Sequence, residues 1–156
     1  MTERQPSSRS CFVCGRENPA GLRTRWVNDR ARGEVRAEVS VPEHFHGYPG
    51  IVHGGILAAL MDEAVVRSLL LEGDFDDLMV TLKMEVVFRR PTPTATAVTV
   101  TGRLVERTSS RARAAAEIRL SDGTVSARAE ALLAKPPPDV AIAWSAERPF
   151  WRVDDP

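Results

Sequence analysis

Residues 54–72 read GGILAALMDEAVVRSLLLE and form the one long segment of helical character in the sequence. Apolar side chains fall on most sides of this segment, as expected for a helix that other structure encloses. Gly73-Asp74 follows as a C-cap signal that ends the helix. The sequence therefore predicts a single long helix at the centre of the fold.

The segments on both sides of the helix alternate apolar and polar residues, which is the pattern of strands with one buried face. Two strands are predicted before the helix and four after it, at residues 22–28, 35–41, 81–88, 98–104, 111–120 and 125–133. The last two bury alanines, so the helix can lie close to them, and a turn at 121–124 joins them as a hairpin. These elements predict an α+β fold in which one antiparallel sheet wraps around one central helix.

The strand at 81–88 is predicted to bury one face and to expose the other. The predicted buried face contains Leu82, Met84, Val86 and Phe88. Thr81 falls on the opposite, polar face.

The composition limits the classes of function. The chain has 156 residues, 43% of them hydrophobic, which suffices for one core. Its 21 basic and 21 acidic residues cancel, so no overall charge favours nucleic acid or an anionic membrane. The N-terminal residues lack the apolar segment of a signal peptide, and no apolar run approaches the roughly 20 residues that span a bilayer. We therefore expect a cytoplasmic protein without nucleic-acid or membrane partners.

Three parts of the chain differ in composition. Residues 1–21 form a leader with a Cys-x-x-Cys turn, residues 22–135 the folded domain and residues 136–156 a C-terminal extension. Residues 1–10 are polar and are expected to be disordered. The extension begins with three prolines, which cannot continue a strand. Its apolar side chains indicate packing onto another surface, and they are Ile142, Trp144, Phe150 and Trp151.

Cys11 and Cys14 are the two cysteines of the chain, and they lie too close together to staple a small secreted domain. In a reducing compartment such a pair indicates redox chemistry or half of a zinc site. His44 and His46 could complete a Cys2His2 zinc site. A structural tight turn is the favoured interpretation, so neither a metal nor another cofactor is predicted.

The helix carries two candidates for chemistry. Gly54 and Gly55 leave backbone N–H groups unshielded at the positive end of the helix dipole, where they can polarise a carbonyl, or they simply let the helix approach the sheet. Asp62 projects from an apolar stripe, where an unpaired carboxylate is costly. It either carries chemistry or accepts backbone hydrogen bonds. Glu63 has Arg67 at i+4 and is assigned to an ordinary ion pair.

The spacing of these candidates has a consequence for assembly. Gly55 and Asp62 are seven residues apart, which is roughly 10 Å along a helix. Both would have to lie about 3 Å from one reacting group. Two helices side by side in a symmetric dimer allow this, with Gly55 from one chain and Asp62 from the other. If both groups are catalytic, the protein is at least a dimer.

His53-Gly54-Gly55 followed by Asp62 resembles the motif of the hotdog-fold thioesterases of the phenylacetyl-CoA and 4-hydroxybenzoyl-CoA (Arthrobacter-type) kind. The resemblance extends from about residue 22 to residue 135. It implies a hotdog fold and acyl-CoA hydrolysis by a homodimer or a dimer of dimers. It also implies that the region of the second glycine polarises the thioester carbonyl and that Asp62 is the nucleophile or general base. His53 would order the loop, and Thr81 would help to hold the water.

The chain departs from many of these relatives at Gly47, where they carry Asn or Gln, and Tyr48 or His46 could supply the polar group instead. His44-Phe45-x-Gly47-x-Pro49 resembles the loop of hotdog hydroxyacyl dehydratases. Those enzymes carry a glutamate fourteen residues after the histidine, and Ala58 at that position disfavours them. A non-catalytic acyl-CoA-binding dimer is the other alternative.

Coenzyme A carries phosphates, which arginine binds through its bidentate fork. Arg89 and Arg90 end one predicted strand, and Ser110 and Arg111 lie in a hairpin rich in hydroxyl and guanidinium groups. A solvated charged hairpin is an equally good interpretation of that segment. The predicted substrate-binding residues are these four together with Tyr48 and Gly54.

Overall fold

The computed structural model describes residues 2–154, which form two α-helices and one seven-stranded antiparallel sheet. Helix α1 spans Gly54–Arg67 and helix α2 spans Pro138–Ser145. The strands are β1 (Thr2–Arg4), β2 (Val27–Asp29), β3 (Glu34–Ser40), β4 (Val80–Phe88), β5 (Ala97–Arg107), β6 (Arg111–Arg119) and β7 (Val125–Ala134). Their order in the sheet is β1-β2-β3-β5-β6-β7-β4. The predicted α+β architecture, with one long helix against an antiparallel sheet, is confirmed.

Helix α1 lies across the inner face of the sheet. Its buried side chains, Leu57, Leu60, Met61, Ala64 and Val65, pack against strands β5, β6 and β7. The α-helix ends at Arg67, and Ser68–Leu71 continues as a turn of 3-10 helix. The predicted helix over 54–72 is therefore one segment with a tighter last turn.

Small residues let α1 approach the sheet closely. The inner faces of β6 and β7 are rich in buried alanines, at positions 112, 114, 116, 127, 129 and 131. Gly102 in β5 lies directly against the helix, because a Cβ at this position would be 2.1 Å from the carbonyl oxygen of Ala64. The predicted close approach of the helix to the last two strands is thus observed, and it extends to β5.

The N-terminal residues were expected to be disordered, and this expectation is wrong. Residues 2–4 form an edge strand on β2, and Gln5 and Ser7 are buried. The Gln5 amide donates to the Asn28 side chain at 2.7 Å, and its oxygen accepts from Arg67 at 3.0 Å. Hydropathy does not reveal this order because the buried groups are polar and find their partners far along the chain.

The strand predicted at 22–28 is shorter than expected. Only Val27–Asp29 pairs with β3, and residues 22–26 lie outside the sheet. Trp26 is nevertheless buried, so this segment contributes to the core without a ladder of its own.

A β-bulge in β4 changes which side chains face the helix. Thr81 lies opposite Leu133 and Lys83 lies opposite Leu132, so Leu82 is the extra residue. Thr81 consequently shares the inner face with Met84, whereas Leu82 is 52% exposed. The predicted faces are wrong for Thr81 and Leu82, because simple alternation cannot register an inserted residue.

The C-terminal extension packs against the leader. Arg152 forms an antiparallel bridge with Ser7, and Glu147 pairs with Arg9 at 2.6 Å. No helix within residues 2–154 is long and apolar enough to cross a membrane.

Replacing Gly102 with Ala is expected to lower the free energy of unfolding by about 3 kcal/mol, because the new methyl group overlaps the α1 backbone. Urea denaturation measures the change. Gly33→Ala is the control, since its Cβ meets no atom within 4 Å and only its positive φ of 64° adds strain, about 1 kcal/mol. Equal losses in both variants would contradict the close approach.

Candidate functional site

Asp62 and Thr81 form a hydrogen-bonded pair between helix and sheet. The Thr81 hydroxyl donates to the Asp62 carboxylate at 2.6 Å. Both side chains are half-buried and line a cavity of about 480 Å³. The β4 bulge creates this pair, because without the extra residue the Thr81 side chain would face away from the helix.

The walls of this cavity are largely apolar. The apolar wall consists of Val66, Phe75, Leu78, Met79, Val80, Trp144 and Trp151. Both tryptophans come from the C-terminal extension, and Trp151 meets Phe75 edge to face at 5.8 Å. The sequence indicated that the extension packs onto something, but it did not indicate Phe75, Leu78 or Met79, which lie outside any periodic segment.

Glu63 forms the predicted ion pair with Arg67. The Arg67 Nε donates to Glu63 at 2.7 Å, and the guanidinium side chain is only 2% exposed. Burial raises the pKa of Glu63 to about 7, and negative charge on Cys14 adds to the rise while Arg67 opposes it. Two carboxylates adjacent in sequence therefore occupy different environments, Asp62 beside a hydroxyl and Glu63 beside a cation.

The two cysteines lie beside Glu63 rather than beside the histidines. The Cys11 sulfur is 3.7 Å from Glu63 Oε2, and the ligand atoms of Cys11, Cys14 and Glu63 lie within 4.8 Å of one another. A hydrogen bond from Cys11 lowers the pKa of Cys14 to about 4, with Arg67 contributing. The hydrogen bond with Cys14, together with burial, raises the pKa of Cys11. His44 and His46 are not in this cluster, so the Cys2His2 set is not assembled.

The N-terminus of α1 is capped by His53. Its Nδ1 accepts the N–H of Gly55 at 2.9 Å, so the ring proton lies on Nε2. The donor that the sequence singled out, Gly55, is therefore engaged within the chain. The N–H of Gly54 meets no acceptor among residues 2–154.

A second cavity, of about 360 Å³, lies at this helix end. Four of the predicted substrate-binding residues line it, namely Tyr48, Gly54, Arg89 and Arg90. The Phe88 ring covers Gly54, since a Cβ on the glycine would lie 3.2 Å from the ring. A Cβ at Gly47 would lie 3.3 Å from His53. The position where the sequence has glycine instead of the expected Asn or Gln is therefore crowded.

The remaining predicted residues lie elsewhere in the chain. In the register of the sheet, Arg111 of β6 lies opposite Ala134 of β7, and Ala134 lies opposite Val80 at the start of β4. Arg89 instead follows the end of β4, so Arg111 and Arg89 lie at opposite ends of that strand. The strand between these ends is about 30 Å long. Asp62 and Gly54 are likewise at opposite ends of β4, beside Thr81 and Phe88 respectively. One chain therefore holds the predicted site residues in two separate groups, and Ser110 with Arg111 lies at the Asp62 end.

Comparisons with known proteins identify related chains. Residues 49–127 match the sequence model of the thioesterase superfamily. A crystal structure of a thioesterase superfamily protein is 29% identical, with a TM-score of 0.74, and the match covers 81% of this chain and 61% of that one. A comparison with curated proteins finds no match.

Two further crystal structures share the fold. A Ralstonia eutropha JMP134 protein related to phenylacetic acid degradation is 23% identical, with a TM-score of 0.64, over 72% of this chain and 85% of that one. A Streptococcus mutans UA159 protein, crystallised with acetyl CoA, is 19% identical, with a TM-score of 0.59, over 65% and 80%.

Replacing His53 with Ala is expected to lower the free energy of unfolding by about 1 kcal/mol, because α1 loses its side-chain cap. His53→Asn keeps a side-chain acceptor and should recover most of that loss. Urea denaturation of both variants gives the comparison. If Asn and Ala are equally destabilising, the imidazole does not act as a cap.

Proposed function

The chain belongs to the thioesterase superfamily, and we propose that it hydrolyses the thioester of a small or medium acyl-CoA as a homodimer or a dimer of dimers. The observation that carries the proposal is the Asp62–Thr81 pair in the wall of a largely apolar cavity. We also infer a cytoplasmic location, the reducing compartment in which cysteines without a disulfide, such as Cys11 and Cys14, persist.

Asp62 supplies the reactive oxygen. The Thr81 hydroxyl holds Oδ1, which leaves Oδ2 to attack the thioester carbonyl or to take a proton from water. Either route places negative charge on the carbonyl oxygen. The free N–H of Gly54, at the positive end of α1, is suited to stabilise that charge. On the general-base route, water adds to the carbonyl, the C–S bond breaks, and the proton that Asp62 took passes to the sulfur, which releases coenzyme A as the thiol and the acyl group as a carboxylate. On the nucleophilic route, C–S cleavage releases coenzyme A and leaves an acyl–Asp62 anhydride, which water then hydrolyses to the carboxylate and free Asp62.

A dimer brings the two groups of residues, one around Asp62 and one around Gly54, together into one site. Strand β4 ends the sheet, and its outer edge pairs with no strand within residues 2–154. Nine residues of unpaired edge, with Leu82, Val87 and Phe88 exposed, favour pairing with a second copy. Antiparallel pairing of two β4 edges places Thr81 and Asp62 of one chain beside the Gly54 end of its partner.

The same pairing assembles the coenzyme A contacts. Arg89 and Arg90 of one chain then lie at the same end of the paired strands as Ser110 and Arg111 of the other. Guanidinium groups from both chains are suited to the phosphates. The Streptococcus mutans structure, which binds acetyl CoA on the same fold, supports this class of ligand. The cavity of about 480 Å³ beside Asp62, with its aromatic wall, is the proposed acyl pocket.

Replacing Asp62 with Asn is expected to lower kcat for acyl-CoA hydrolysis about 100-fold or more, because the reactive carboxylate is lost. Thiol release from short, aromatic and long acyl-CoAs is the measurement. Asp139→Asn is the matched control, since Asp139 is exposed on α2, and it should retain the wild-type rate.

An Asp62→Asn variant that hydrolyses at the wild-type rate would exclude Asp62 as the reactive group. If the wild-type protein binds acyl-CoAs but releases no thiol from any of them, the non-catalytic acyl-CoA-binding dimer replaces the hydrolase.

Subunit mixing tests the shared site. Gly54→Pro removes the N–H at the first helical position, where proline is well tolerated. A proline also requires an extended residue before it, and His53 already has such a backbone (φ −58°, ψ 134°). Gly54→Pro and Asp62→Asn should each be nearly inactive. After dissociation and reassociation of an equal mixture, about a quarter of the wild-type activity should return, because half of the dimers are mixed and each has one intact site.

Activity that does not return on mixing, with subunit exchange verified by mass spectrometry, would place both groups in one chain. Sedimentation showing an active monomer would contradict the dimer.

A further inference from the structure

Two thiols and a carboxylate are concentrated on one wall of the acyl cavity, where the proposed hydrolysis gives them no role. They come from two distant parts of the chain, Cys11 and Cys14 in the leader and Glu63 on α1. Cys14 is 1% exposed, and the three ligand atoms lie within 4.8 Å of one another.

The distance between the Cys11 sulfur and Glu63 Oε2 matches that between two ligands of a tetrahedral metal site. With metal–sulfur bonds of about 2.3 Å and metal–oxygen bonds of about 2.1 Å, sulfur and oxygen ligands lie about 3.6 Å apart. The Cys11 sulfur and Glu63 Oε2 are 3.7 Å apart. The other separations in the cluster are at most 4.8 Å, which side-chain movements of about 1 Å would bring to the same value.

The leader turn holds both thiols on the same side. The N–H of Gly15 donates to the Cys11 carbonyl at 2.8 Å, and the N–H of Val13 donates to the Cys11 sulfur at 3.3 Å. A Cβ at position 15 would lie 2.4 Å from the Cys11 oxygen, so this tight turn requires glycine. Backbone N–H donation to sulfur stabilises a thiolate, which is the form that binds metal.

Arg67 completes the surroundings. Its Nε donates to Glu63 Oε1, which leaves Oε2 directed at the cysteines, in the way that an outer hydrogen bond orients a metal-binding side chain. Its Nη2 is buried and has no acceptor among the described residues. Two thiolates and one carboxylate carry three negative charges, which one guanidinium and one divalent cation balance.

We propose that Cys11, Cys14 and Glu63 bind a thiophilic divalent cation, zinc in particular, which ties the leader to α1. All three ligands line the cavity that Asp62 also lines. The spacing of the cysteines favoured a tight turn and offered only His44 and His46 as further ligands, because Glu63 is fifty-two residues from Cys11 in sequence. The site does not depend on the hydrolase proposal, since it concerns metal content and not turnover.

The test is the metal content of reduced, full-length protein purified without chelators. About one zinc per chain is expected by plasma mass spectrometry. Cobalt substituted for zinc should give tetrahedral d–d bands and a thiolate charge-transfer band. Cys14→Ser and Glu63→Gln should each lose the zinc, whereas Asp62→Asn, the neighbouring carboxylate on the same cavity, should retain it.

Wild-type protein that takes up neither zinc nor cobalt overturns the proposal, as does a cobalt spectrum without a thiolate band. Glu63→Gln that keeps full zinc excludes Glu63 as a ligand. If the variants do not fold, X-ray absorption of the zinc-loaded wild-type protein decides, with two sulfur ligands expected and any other number of sulfurs contradicting the site.

Discussion

The structure depends on the close packing of α1 against the inner face of the sheet. Alanines on β6 and β7 and Gly102 on β5 bring the helix backbone so near that no side chain fits at position 102. Because protein interiors are close-packed, this contact fixes both the depth and the rotation of the helix. Asp62 is thereby held at Thr81, at one end of β4, and Gly54 at Phe88, at the other.

The buried charge of Arg67 is the second constraint. Its guanidinium donates to Glu63, Gln5 and the carbonyl of Pro6, so the end of α1 is tied to the residues that directly follow β1. A cation buried this deeply requires partners, and removing one from such a pair costs about 3–5 kcal/mol. The same charge opposes the rise that burial causes in the pKa of Glu63. Its hydrogen bonds to Gln5 and Pro6 hold that part of the leader in place.

A single inserted residue links the fold to the proposed chemistry. Leu82 has no partner in the ladder between β4 and β7, so Val80 and Thr81 lie on the faces opposite to those that regular alternation would give them. Thr81 then points at Asp62, whereas an unbulged strand would direct it away from the helix. The free edge of the same strand is available to a second copy of the chain, so the bulge and the proposed interface lie on one element.

The sequence by itself determined the helix, most strands, the Glu63–Arg67 pair and the motif from His53 to Asp62, because periodicity, i+4 spacing and helix starts are local properties of the chain. Tertiary structure decided the N-terminal strand, the face of Thr81, the engagement of Gly55 by His53 and the cluster of Cys11, Cys14 and Glu63. Apart from the Gly55 cap, each of these depends on groups tens of residues apart or on an irregularity in pairing. Such contacts form only when the folded backbone brings distant polar atoms together, and no window of sequence contains both partners.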